Sequence, residues 1–413
     1  MRKLAKKILF ILYNIKLAIK SLAWHKNPSI VLMGSWFGEK FADNSRFLFQ
    51  YLSENKKSLG LTHVVWVSRF QNVVDTLHDM GYEAYLMGSE ESINYHKKAK
   101  YHIICNASGY GFDKSADIQT EYSWNAKRIN LWHGVGVVKG VGCESNKYLM
   151  KKEKNKVLYA VIEFLRYRSS LFRKFWALGG WLDCAYVSPT LIERSKMQKE
   201  LLLPDEHFIM TGYARNCQCA LLTDYEKKVI RIIKSYKKTI IYMPTFKTDT
   251  NNFDFRTIGS NLIPFLEENN ILWIQKGHSA DKFSSGYFCS GHILNLSSDF
   301  DTNTILPYIS ILITDYSSAM MDALYHQKPV LLYVPDYDVF LKGERGLIPE
   351  ANDIMSGCGY IYKDINLLKR GIINAFNNPE SAKPANYYKT RLKYWGKEKK
   401  IDEIWKDIIQ TTE

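Results

Sequence analysis

Four short stretches hold the residues whose types and spacing can do chemistry. They are His133 and Gly134 after "INLW", Thr245 after "IIYMP", Lys276 and His278 in "QKGHS", and Asp315 to Ser318 after "ILIT". Each follows a run rich in Ile, Leu or Val, so each falls where a strand hands over to a loop or helix. A lone histidine is usually a structural hydrogen-bonder. His133 stands apart because the glycines of "HGVGVVKG" leave room for a ligand near the backbone, and Lys139 adds a cation. A neutral imidazole there can take a proton from an acceptor hydroxyl, an effect worth roughly 10² to 10⁴ in rate. His278, between Lys276 and Gly277 on one side and Ser279 on the other, is placed to donate to phosphate oxygens.

Ser317 and Ser318 admit two readings. Ser and Asp are the usual residues that satisfy the orphan N–H groups at a helix start, which favours simple capping. The same hydroxyls and N–H groups can instead hold a phosphate, the helix dipole adding typically ~0.3 to 1 kcal/mol. Asp315 fits beside a phosphate only if it caps the backbone or contacts another group. No two histidines have metalloprotein spacing, and there is no Walker lysine and no G-x-G-x-x-G after an early strand. The expectation is no protein-held catalytic metal, no cofactor, and no ATP or NAD chemistry of the usual kinds.

Two alternating series of strands and helices must position these groups. From Ser29 the chain reads "SIVLMGS", a helix near residues 44–55, "THVVWVS", a helix near 71–80, "EAYLMGS", "YHIICNAS" and then the His133 segment. After a basic stretch the alternation restarts with "CAYVSP" and runs through "HFIMTGYARN", "KKTIIYMPTFKTD", "ILWIQKGHS", "HILNLS", "ISILITDYSS" and "PVLLYVPDY". Such alternation implies βαβ units and parallel sheets covered on both faces. The expected fold is α/β, with two Rossmann-like, doubly wound domains facing a cleft at the carboxyl ends of their strands. The expected divisions are a helix over 1–27, a first domain over 28–188 with a basic insertion at 147–176, a second domain over 189–372, and C-terminal helices over 373–413.

At 413 residues with 46% hydrophobic content, the chain can bury a sizeable core in two domains. A formal net charge of +14 points to a polyanionic partner: nucleic acid, an anionic membrane surface or phosphate-bearing substrates. Nucleic acid lacks a reader, for there is no helix-turn-helix, RRM-like or zinc-finger pattern. The seven cysteines include no C-x-x-C pair and there is no signal-peptide pattern, which fits a reducing cytosol and buried thiols. The first acidic residue is Glu39, and seven Lys or Arg up to Lys26 are interleaved with "ILFILYNIKLAIKSLAW". That run is too interrupted to span a bilayer, which takes about 20 apolar residues. An amphipathic helix in the membrane interface fits, with Leu4, Ile8, Ile11, Leu12, Ile15, Ile19 and Leu22 on one face; a helix packed on the body, or a basic tail, is the plainer reading. The second basic-aromatic stretch at 147–176 adds weight to the membrane reading.

The ordered set "LWHGVGVVKGVG", "TGYARN", "IYMPTFKTD", "QKGHS" and "TDYSSAMMDALYHQKPVLLY" resembles the CDP-glycerol glycerophosphotransferase family of teichoic acid and capsule polyol-phosphate polymerases and primases, from about residue 28 to about 350. The resemblance implies a GT-B-like pair of Rossmann domains. It implies His133 as base, His278, Ser317 and Ser318 as pyrophosphate contacts, Arg215 and Thr245 as cleft candidates, and Arg345 as added charge at the phosphates. Gly134, Lys139, Lys276 and Asp315 complete the candidate substrate-binding set. Ala214 stands where the family has proline, Cys217 where it has an acidic residue, and "GVGVV" where many members have Thr-Pro-Leu.

The function implied is transfer of glycerol phosphate or ribitol phosphate from a CDP-polyol to a hydroxyl of a membrane-linked or capsular acceptor, with CMP leaving. The expected partners are the CDP-activated polyol, a polymer or lipid-linked acceptor and an anionic membrane, with the protein peripheral on its cytoplasmic face. The rival is a GT-B glycosyltransferase or nucleotide-sugar epimerase using a UDP-sugar. Retaining members of that group often carry Glu-x7-Glu, whereas here Asp315 and Asp322 are seven apart and Ala323 holds the eighth position. A nucleotide-binding membrane protein without catalysis leaves the polar corners unexplained.

Overall fold

The computed structural model describes residues 2–106, 116–140, 157, 161, 184–201, 203–218, 221–245, 261–276, 288–341 and 347–412. The chain divides into two compact units, one of Met1–His133, Leu149–Leu221 and Glu398–Glu413, the other of Gly134–Tyr148 and Leu222–Lys397.

The first unit is built on seven strands: β1 (Asn27–Met33), β2 (His63–Ser68), β3 (Ala84–Leu86), β4 (Ala99–Ile104), β5 (Lys127–Asn130), β6 (Ala185–Ser188) and β7 (Phe208–Met210). Their spatial order is β3-β2-β1-β4-β5-β6-β7, and every pairing is parallel. The reason is legible in β1 and β2, whose Val31, Leu32, Met33, Val65 and Trp66 are all fully buried, as strands covered by helices on both faces must be. The order reverses between β1 and β4, so the loops after those two strands open the crevice where doubly wound sheets bind ligands.

The second unit repeats the plan with β8 (Lys238–Met243), β9 (Ile271–Gln275), β10 (Phe288–Ser290), β11 (Ile293–Asn295), β12 (Ile311–Thr314), β13 (Val330–Tyr333) and β14 (Tyr360–Tyr362). Their order is β10-β11-β9-β8-β12-β13-β14, parallel except for the antiparallel edge pair β10 and β11. Ile240, Tyr242, Trp273, Ile313, Leu331 and Leu368 anchor its core.

The division differs from the expected one in two places. The boundary expected at 188 falls inside the first sheet, because Tyr186, Val187 and Ser188 pair in register with Phe208, Ile209 and Met210. The C-terminal helices are also shared out. Helix Tyr387–Trp395 belongs to the second unit, where the Trp395 indole donates to the Met321 carbonyl at 2.8 Å. Helix Ile401–Thr412 completes the first: its Ile401, Ile404, Trp405 and Ile408 are buried, Trp405 lies 5.9 Å from the Tyr101 ring, and Lys399 pairs with Asp407.

The N-terminal segment forms a helix over Arg2–Ser21. Leu17 and Ser21 face inward, and Asn125 donates to the Ser21 carbonyl at 3.0 Å. Leu12, Ile15, Ile19 and, just past the helix, Leu22 are exposed. Among the described residues no helix is long and apolar enough to cross a membrane. Apart from Val157 and Val161, the basic stretch 147–176 lies outside the described residues.

Candidate active site

In the first unit the groups around His133 come from the carboxyl ends of three neighbouring strands. His133 follows β5, partly exposed, and its Nδ1 is 2.9 Å from the carbonyl oxygen of Cys105, just past β4. A carbonyl can only accept, so Nδ1 carries the proton and the Nε2 lone pair is left to act as a base. Burial pulls the imidazole below its ordinary value, Asp43 and the Cys105 carbonyl pull it back up, and the Arg215 cation lowers it again. The ring is therefore neutral at pH 7.

Arg215 is 2% exposed. Its Nη1 donates to Asp43 Oδ1 at 2.5 Å and to the His133 carbonyl at 3.0 Å. Asn44 reinforces the same turn: its amide donates to the Trp132 carbonyl at 2.8 Å, and its Oδ1 accepts the Arg215 backbone N–H at 3.1 Å. Asn130 Oδ1 accepts the N–H of Trp132 at 2.8 Å. The loop after β1 forms another wall, with the Trp36 ring 5.7 Å from the imidazole. Trp36, Phe37, Asp43 and Trp132 all have positive φ, at 44°, 61°, 65° and 57°. Such conformations are costly outside glycine and gather at functional sites.

In the second unit Asp315 welds two strand ends. Its Oδ1 accepts the N–H of Thr245, just past β8, at 2.8 Å and the N–H of Tyr316 at 2.6 Å. That is the capping alternative for Asp315. At the helix start Ser317 Oγ accepts the N–H of Ala319 at 3.3 Å, whereas the Ser318 side chain, in the cap position, makes no cap hydrogen bond. Both sequence readings of the serine pair thus survive, one on each residue. Residues 134–140 lie over this corner: a Cβ on Gly134 would stand 3.6 Å from Ser318 Oγ, and one on Gly136 would meet Met321 Cε at 2.8 Å. Lys139 follows, bridged through its backbone to Leu347 and donating from Nζ to Thr245 Oγ1 at 3.4 Å.

The structure thus gathers Gly134, Lys139, Thr245, Asp315, Ser317 and Ser318 in the second unit, and His133 with Arg215 in the first. Lys276 is buried, and its Nζ donates to the Phe300 carbonyl at 2.6 Å. His278 and Arg345 lie outside the described residues. Sequence reasoning missed Asp43, Asn44 and Asp117. Asp43 and Asn44 sit in "DNSR" at a helix start and read there as ordinary cap residues; nothing near Asp117 marks it.

A model of the family described as CDP-Glycerol:Poly(glycerophosphate) glycerophosphotransferase matches residues 16–395. A teichoic acid poly(glycerol phosphate) polymerase of Bacillus spizizenii is 24% identical over 83% of this chain and 82% of its own length. The corresponding polymerase of Staphylococcus epidermidis is 21% identical over 77% of this chain, which spans only 42% of that protein. Among solved structures, that of the wall teichoic acid polymerase TagF superposes with a TM-score of 0.68 at 18% identity, over 99% of this chain and 97% of the other. That superposition bears out the expected pair of Rossmann-like folds.

Proposed function

We propose that this chain, which belongs to the CDP-glycerol:poly(glycerophosphate) glycerophosphotransferase family, transfers glycerol phosphate or ribitol phosphate from a CDP-polyol to a hydroxyl of a teichoic acid or capsular acceptor. The family match over residues 16–395 carries this reading of the reaction. His133 Nε2 takes the proton of the acceptor hydroxyl as its oxygen bonds to the polyol-bearing phosphorus. The bond from that phosphorus to the bridging oxygen breaks, and CMP leaves with the electron pair. The Cys105 carbonyl supports this role by fixing the tautomer. Little covalent chemistry falls to the protein, so positioning and charge stabilisation supply most of the rate.

In this reading the donor phosphates fall to the second unit. Lys139, Ser318 and the Thr245 hydroxyl supply donors from one corner, with Ser317, Lys276, His278 and Arg345 as further candidates. Asp315 holds the corner rigid, and Arg215 holds the base. No protein-bound cofactor is invoked, since the CDP-polyol brings its own leaving group. Incubation with CDP-glycerol, CDP-ribitol and a panel of UDP-sugars, plus membrane extract as acceptor, tests the reaction. Release of CMP is expected; release of UDP alone would overturn it in favour of the glycosyltransferase reading.

The protein works peripherally on the cytoplasmic face of the membrane in the same proposal. Support comes from the exposed Leu12, Ile15, Ile19 and Leu22 beside exposed Lys16 and Lys20. Each Lys near an anionic leaflet adds on the order of 1 kcal/mol. Co-sedimentation with phosphatidylglycerol vesicles should be lost in the Leu12→Glu, Ile19→Glu double variant; equal binding by that variant would remove the helix from the account.

A further inference from the structure

We infer that Asp117 is a positioning residue for His133, tying together through backbone N–H groups the loop after β1 and the end of β4 that flank the imidazole. The inference rests on His133 being the base of the reaction proposed above. Asp117 is fully buried, in the approach to β5. Its Oδ2 accepts the N–H groups of Cys105 and Asn106, both at 2.9 Å, and its Oδ1 accepts the N–H of Phe37 at 2.7 Å. Cys105 is the residue whose carbonyl fixes His133 Nδ1, and Phe37 follows Trp36, whose ring packs on the imidazole. One carboxylate thus holds both neighbours of the ring at once.

Three further observations favour this arrangement. Gly34 lets the Asp117 backbone come close, for a Cβ there would stand 2.0 Å from the Asp117 carbonyl oxygen. Asn106 makes a second tie between the same two segments, its Oδ1 accepting the Trp36 N–H at 3.2 Å. The left-handed backbone at Trp36 and Phe37 persists only where surrounding bonds over-determine it. The site also calls for a carboxylate rather than an amide. Three N–H groups converge on two oxygens, and an amide would turn its NH₂ toward one or two of them.

Burial, with repulsion from Asp43, outweighs the pull of the three N–H groups and leaves the Asp117 carboxyl raised to about 6. Asp43 and Arg215 are the charges that bear on His133, and the charge of Asp117 helps keep the Cys105 thiol protonated. At pH 7 Asp117 is charged and His133 neutral; acidification adds a proton to each, the one on His133 removing the base and the one on Asp117 loosening its hold on the ring's neighbours.

The test compares wild type with Asp117→Asn at saturating CDP-polyol. A kcat lower by about 10- to 100-fold with an unchanged donor KM is expected, since small misplacements of reacting groups cost that much. The acid limb of log kcat should fall more steeply at its onset in wild type, where both groups titrate, than in the variant, where only His133 does. ¹⁵N NMR of the histidines should show a single Nδ1–H tautomer for His133 in wild type and a mixture in Asp117→Asn. Asn106→Ala, which keeps Asp117 and removes the second tie, should show a smaller change of the same kind. A folded Asp117→Asn with wild-type kcat and one tautomer would overturn the inference. If that variant does not fold, Asn106→Ala decides it by the same two measures. A wild type that releases no CMP from either CDP-polyol would sink the functional reading instead, while the tautomer comparison still judges Asp117.

Discussion

The two units share a mostly parallel sheet, whose strand order differs at the edge that the antiparallel strand β10 occupies in the second, and a buried aspartate that gathers backbone N–H groups from neighbouring strand ends. They use it differently. In the first, Asp117 serves three N–H groups and a wider set of Asn44, Asn130, Asp43 and Arg215 surrounds one histidine. In the second, Asp315 serves two N–H groups, while Lys139, Thr245 and Ser318 present short polar groups around a glycine-lined corner. Proton transfer depends steeply on the placement of one nitrogen, which justifies a dense buried network. Gripping a diffuse phosphate charge tolerates looser geometry and needs several donors instead. On the proposed roles, one fold yields a stiff site and a collecting site by changing what surrounds a single carboxylate.

That contrast can be broken at four points. His133→Ala should lower turnover by about 10² to 10⁴ while leaving CDP-polyol binding intact by calorimetry; retained turnover would remove the base from the stiff site. The same base predicts a pH profile. The imidazole is held below its ordinary 6.5, so activity should be flat above that value and fall below it. The folded state binds that proton less readily than the unfolded chain, so this histidine's stabilising contribution is present above pH 6.5 and is lost on acidification.

Arg215→Met leaves Asp43 without its buried cation and should cost about 3 to 5 kcal/mol of stability in urea unfolding. A change under about 0.5 kcal/mol would mean the pair is not part of the scaffold. At the collecting site, Asp315→Ala strands two buried N–H groups and should destabilise by about 1 to 3 kcal/mol; a larger loss of activity than of stability would move Asp315 from scaffold to substrate contact. The finest comparison lies within the serine pair. Ser317→Ala should cost about 1 kcal/mol as a lost cap, whereas Ser318→Ala should change stability by less than about 0.5 kcal/mol and raise the KM for the CDP-polyol. The reverse pattern would exchange their roles.

The fold was largely legible because both sheets are made of short Val- and Ile-rich runs that alternate with helices. His133, Thr245 and Asp315 were legible for the same reason, since each directly follows such a run. What escaped depended on partners far along the chain. Asp43 meets Arg215 across 172 positions and Asp117 meets Phe37 across 80, and no local pattern encodes either meeting. Arg215 itself was noticed as a substrate-binding candidate; what no local pattern encodes is its burial beside Asp43 and its bond to the His133 carbonyl. The serine pair stays open at the level of sequence, because capping and ligand binding use the same atoms.

The division of the chain has a consequence for how the protein is made. His133 ends one piece of the first unit and Gly134 begins the second, while the first unit takes up the chain again at Leu149 and at Glu398. Its last helix, Ile401–Thr412, buries Ile404, Trp405 and Ile408, so that unit lacks part of its core until those residues have left the ribosome. The half that carries the histidine is therefore the last to finish, although most of it is synthesised first. A chain that ended just after Lys397 would hold every residue of the second unit joined to an unfinished first, a state that invites chaperone binding and proteolysis. Neither unit can be traded between genes as one continuous segment.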